Sequence, residues 1–127
     1  MFNIVCDYCE EEKELIIDTI ISKKLQPGLK ACIYNRIRLC GECHKKYKVD
    51  KSLEKLYKQT LQTQLFSLLE DDYLSVEDIS ERLAIKACDV QKILKLIHPK
   101  KGYKYSLEDV VRACMGGKLI VEGQKWN

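Results

Sequence analysis

Two Cys-x-x-Cys pairs, Cys6/Cys9 and Cys40/Cys43, constrain this chain more than any other feature. Two intervening residues let both sulfurs of a pair reach one ion about 2.3 Å away from a single tight turn, and thiolate is the soft donor that zinc prefers. The pattern predicts one tetrahedral Zn2+ held by Cys6, Cys9, Cys40 and Cys43. Cys32 and His44 are the reserves for one of the four positions, and uncoordinated structural thiols are the alternative. Four protein ligands leave no place for a water, so such an ion is expected to fold its surroundings rather than to catalyse. The run CGECH at 40–44 also fits c-type haem attachment, but that chemistry needs export. A redox pair of the thioredoxin kind would need a following βαβ pattern, which is missing.

Composition narrows the setting. With 46% hydrophobic and 32% charged residues the chain is too apolar for disorder. No apolar run approaches the roughly 18 residues of a membrane helix, and no basic-then-apolar export signal opens the sequence. A cytoplasmic, reducing location is therefore expected, where seven cysteines imply metal ligation and buried thiols rather than disulfides. The formal charge of +3 falls to about +1 once four thiolates and a zinc ion are counted. Net charge thus says little about nucleic acid, although the basic surplus sits at the two ends. Lysine outnumbers arginine 18 to 4, a bias associated with AT-rich genomes such as those of low-GC bacteria and their phages.

Residues 2–9 read as a short strand entering the first metal turn, and the apolar run 15–21 fits either a strand or a helix face. Gln26-Pro27-Gly28 predicts a turn. Alternation from Cys32 onward predicts a strand delivering Cys40, with Gly41 turning the chain and a helix starting near His44. That order outlines a treble-clef zinc finger. CDYC, the later ELI and RLCGECHKKYK resemble the N-terminal zinc-binding domain of the ClpX unfoldase. The resemblance covers about residues 4–48, with a longer insert between the pairs, and nothing after residue 50 resembles an ATPase. It implies the four cysteine ligands, the fold, and a surface for dimerisation and for holding adaptors and substrates. Arg36, Arg38, Lys45 and Lys46 are placed to offset an anionic four-thiolate centre.

Leu53, Leu56, Tyr57, Leu61, Leu65, Leu68 and Leu69 recur at helical spacing behind an N-cap at Asp50 or Ser52. This stripe predicts a long helix that either covers its own core or pairs with a second copy. Residues 74–99 then read as a helix-turn-helix: a support helix over 76–84 capped by Ser75, a turn over 84–86, and a recognition helix over 87–97. DISERLAIKACDVQKIL resembles the motif of many bacterial regulators, with Ala84 at the turn and Val90 anchoring the second helix. Lys86, Lys92 and Lys95 are expected to meet phosphates, and Gln91 a base edge. Lys100, Lys101 and Lys104 interleave with tyrosines where a wing would sit, a solvated lysine loop being the bland alternative. Ser106 predicts a further helix, residues 118–123 a strand, and Cys88 and Cys114 buried thiols.

The expected architecture is mainly α with a small α+β zinc module: residues 1–48, a linking or dimerisation helix over 49–73, and a helix-turn-helix region over 74–127. No paired carboxylates, activated nucleophile or phosphate-binding loop stands out, so no enzyme is expected. The leading functional expectation is a small zinc-containing transcriptional regulator that binds DNA or the transcription machinery, RNA polymerase or a transcription factor. The alternative is a protein-binding adaptor or inhibitor that never touches DNA.

Overall fold

A computed structural model describes residues 5–120, with five α-helices and two two-stranded antiparallel sheets among them. The strand expected over 2–9 reduces to a single bridge between Val5 and Glu12, and residues 2–4 lie outside the described range. The chain folds back at once: Cys6 N–H donates to Glu11 O and Glu10 N–H to Cys6 O, with Glu10 at φ +62°. Such a turn leaves no straight backbone to extend the pairing.

Pairing decides the ambiguous run: β1 (Leu15–Thr19) lies against β2 (Arg36–Cys40), Leu15 opposite Cys40 and Thr19 opposite Arg36. In β2 the period-two alternation buries Ile37 and Leu39 and exposes Arg36 and Arg38. This strand starts four residues later than expected, because Ile33–Asn35 wind into a 3-10 turn. The cause is Asn35, whose buried amide accepts from Ile21 N–H at 2.7 Å and donates to Ile21 O and Leu29 O. The predicted turn at Gln26 is a 3-10 helix, Pro27–Leu29, capped by the Gln26 side chain.

Helix α1 (Gly41–Val49) starts at Gly41, earlier than the His44 start expected, with Cys40 at its N-cap. Helix α2 (Lys51–Leu69) follows after the Asp50 carboxylate, which accepts from Ser52 and Leu53 N–H. Leu53 joins a small core with Ile37, Leu39 and Tyr47, whereas Leu61, Leu65 and Leu69 enter a larger one. Each such buried leucine contributes about 1.5–3 kcal/mol. The stripe therefore covers its own chain, and only Leu56 among its leucines is exposed.

Strand β3 (Tyr73–Leu74) pairs with β4 (Tyr105–Ser106) and brackets helices α3 (Val76–Leu83) and α4 (Ala87–Leu94). Ser75 and Asp78 form a reciprocal capping box at the start of α3. Helix α4 stops at Leu94, three residues short of expectation; beyond it Ile97 N–H closes only a single turn onto Leu94 O ahead of Pro99. A tight turn around Gly102, φ +59°, is closed by a Lys101–Lys104 bridge. Helix α5 (Leu107–Cys114) is capped by Ser106. Lys118–Ile120 form no strand; the Ile120 backbone instead bonds the Gln62 amide at both its N–H and its carbonyl, and residues 121–123 lie outside the described range. The larger core is built from α2–α5 together with Ile21, Leu29 and Cys32 from the first third of the chain. No helix of the described residues is long and apolar enough to cross a membrane.

Ala84 occupies the left-handed region, φ +54° and ψ +44°, between α3 and α4. An L-residue there costs about 1–2 kcal/mol, part of which glycine returns through its freer unfolded chain. Ala84→Gly is therefore expected to raise stability by about 0.5–1 kcal/mol, read as a higher urea midpoint at unchanged slope.

Candidate metal centre

Three elements converge on one point. Cys6 and Cys9 come from the turn after Val5, Cys40 from the end of β2, and Cys43 from the first turn of α1. The four sulfurs all lie within 4.8 Å of one another, with Cys9 Sγ and Cys40 Sγ 3.9 Å apart. Tetrahedral ligands at about 2.3 Å from zinc stand about 3.8 Å from each other, so this spacing fits a four-sulfur site. The group can hold a metal ion such as zinc. Asp7 ties the first turn to β2 by accepting from Arg38 N–H and donating its own N–H to Arg38 O, both at 2.8 Å.

The electrostatics of the four thiols are opposed. Burial works against the Cys6 thiolate, yet backbone N–H groups of Cys9, Cys40 and Tyr8 outweigh it and hold the pKa down at about 6. Cys43 is pushed up to about 12 by burial and then by the neighbouring thiols of Cys40, Cys6 and Cys9. Cys9 is also raised: burial and the thiols of Cys6 and Cys40 prevail over the Glu11 backbone, the largest single influence, which favours its thiolate. Donors this close compete for negative charge, and a divalent cation is what relieves the competition.

Neither reserve ligand belongs to the cluster. Cys32 is fully buried in the larger core, its Sγ directed at Leu83 O. His44 faces away to Asp18, Nε2 to Oδ2 at 3.0 Å, and Lys48 approaches the same carboxylate at 3.4 Å. Burial raises the Asp18 pKa, but His44, the Thr19 N–H and Lys48 together bring it below the usual value. Asp18 pins α1 onto β1, a role invisible in sequence because its partners lie 26 residues or more away. Of the bases expected to offset the centre, Arg38 pairs with Asp7 at 3.7 Å. Lys13, not anticipated, bridges Glu11 at 2.8 Å and Glu42 at 4.0 Å beside the site.

The residues assigned to nucleic acid all lie in the second half of the fold. Lys86, Gln91, Lys92 and Lys95 are exposed on or beside α4, while Val90, Ile93 and Leu94 are buried beneath them. Lys92 stands 3.5 Å from Asp89 and Lys100 3.9 Å from Asp109. Lys101 lies over the Tyr73 ring at 5.3 Å, and Lys104 is half-buried across the turn from it. Cys114 is buried as expected, but Cys88 is exposed on the outer side of α4. Its position two before Val90 turns it outward, since 200° separates them around the helix at about 100° per residue.

The purified protein is expected to carry one tetrahedral ion per chain, and a Co2+-substituted form to show thiolate-to-cobalt charge transfer. Cys43→Ser should abolish that signal and melt the β1–β2 hairpin, read by circular dichroism. Because the ligands bind as thiolates, protons compete with the metal for all four sulfurs, so retention should decline as pH falls, read as metal content after equilibration across a pH series. No family model, curated protein or solved structure matches this chain, so the resemblance of its first third to a known zinc domain rests on the cysteine pattern and its setting.

Proposed function

We propose that this chain is a small zinc-containing transcriptional regulator, in which α3 and α4 act as a helix-turn-helix on DNA. The observation that carries this reading is the division of α4: its apolar side is buried in the core, and its outer side presents Gln91, Lys92 and Lys95 with Lys86 at its start. The acids Glu77, Asp78 and Glu81 belong to α3, with Arg82 on α3 and Asp89 on α4 as the exceptions to this division. Lys101 and Lys104 stand in the tight turn before β4, in the place of a wing. Lysines supply phosphate contacts that position a helix, and the Gln91 amide supplies a bidentate partner for adenine. The Cys6, Cys9, Cys40 and Cys43 set, read as a closed zinc site of treble-clef type, supplies the folding energy that so short a segment lacks.

A second reading, a protein-docking adaptor or inhibitor, draws on exposed apolar side chains. Leu96 is 88% exposed and Leu25 54%, and both border a cavity of about 600 Å3 with Ile97 and Gly116.

Titration against duplex DNA at several salt concentrations separates the two. The DNA reading expects affinity to fall steeply with salt, and each of Lys86, Lys92, Lys95, Lys100, Lys101 and Lys104 to Ala that removes a phosphate contact to lower the log–log slope by about 0.9. Absence of binding at about 50 mM salt rejects it.

A further inference from the structure

Between β1 and β2, the long insert that separates the two cysteine pairs reaches out of the metal module into the larger core. Ile21 enters the larger core, the Pro27–Leu29 turn follows, and the chain returns through Cys32 to β2. Along this path it grips α3 and α5, which both pack against α4. Gln26 donates from Nε2 to Ala113 O of α5 at 2.7 Å, and the Cys32 thiol is directed at Leu83 O, the last residue of α3. Gly28 lies flat on α4 itself: a Cβ there would stand 2.5 Å from Asp89 O and 2.6 Å from Ile93 Cγ1. The Asp89 carbonyl is helix backbone and cannot swing aside, so the glycine sets how closely the two segments approach.

The same insert is tied to the metal site. Asn35 holds Ile21 and Leu29 together through three hydrogen bonds, and Ile20 N–H donates to Asn35 O at 3.2 Å. From Arg36 the paired strand leads without interruption to Cys40. A continuous chain of hydrogen bonds and packed backbone thus runs from the sulfur cluster to the buried side of α4, opposite the lysines.

We propose that the insert of the metal module is a positioning element for α4, that Gly28 is its contact residue, and that metal occupancy is thereby coupled to the seating of α4. Its consequence for DNA rests on the reading above, but the coupling itself does not. Gly28 reaches no nucleic acid in this arrangement and acts only through the helix it supports.

Hydrogen exchange on the full chain tests the coupling directly. Chelation of the metal is expected to speed exchange of the α4 amides Val90–Leu94 by about tenfold or more while Leu61–Leu69 of α2 stay protected. Gly28→Ala, with all four cysteines intact, should keep its metal and show the same selective loss. It should also weaken binding to a duplex by about tenfold, with the salt slope unchanged because no lysine is lost. Unchanged α4 exchange after chelation, or loss spread uniformly over α2 and α4, overturns the proposal. Should Gly28→Ala not fold, the chelation experiment on the unaltered chain decides alone. Failure of the unaltered, metal-loaded protein to bind DNA at all removes the DNA reading and leaves the exchange result standing on its own.

Discussion

Four thiols within 4.8 Å of one another are the contact on which the N-terminal half depends. Thiolates at that spacing repel, and burial of Cys43 and Cys6 adds a cost for every negative charge. A divalent cation reverses the sign of both effects. An ion bound there would lock the first turn to the end of β2 and to the start of α1. The small core around Ile37, Leu39 and Tyr47 contains three of the clustered cysteines themselves, Cys6, Cys40 and Cys43, so the sulfur cluster and the apolar packing form a single unit there.

Helix α2 and the hairpin insert join that unit to the rest of the fold. Leu53 faces the small core and Leu61, Leu65 and Leu69 the large one, all from one uninterrupted helix. The insert crosses in the opposite direction and carries polar side chains inward. Asn35 is fully buried and Gln26 nearly so, yet each finds backbone partners, and no buried side-chain N or O atom among the described residues is left unsatisfied. Satisfied buried amides define one arrangement of the backbone rather than merely a compact one.

The outer half of the structure is less strongly defined by chemistry. The charged side chains of α4 are Asp89 and Lys92, 3.5 Å apart, with no arginine among them. Ala84 carries a left-handed backbone that glycine would take at lower cost, and the α3–α4 pair holds it through Ile85 N–H to Ser80 O and Ser80 Oγ to Ile85 O. The turn between these helices is thus held from both sides.

Much of this was legible in the residues alone. Cysteine spacing named the four thiols that converge, because the pairing of two sulfurs acts over two intervening residues and needs no tertiary context. Caps at Asp50, Ser75 and Ser106 and the leucine stripe of α2 were legible for the same reason: each depends on neighbours within one or two turns. What the chain did not disclose is whatever depends on a distant partner. Strand or helix for residues 15–21 was settled by pairing with β2, the place of His44 by Asp18, and the outward face of Cys88 by which side of α4 met the core. The deepest of these is Gly28, ordinary in a Pro-Gly turn by sequence. Only the tertiary structure sets α4 against it, at a distance no side chain could share.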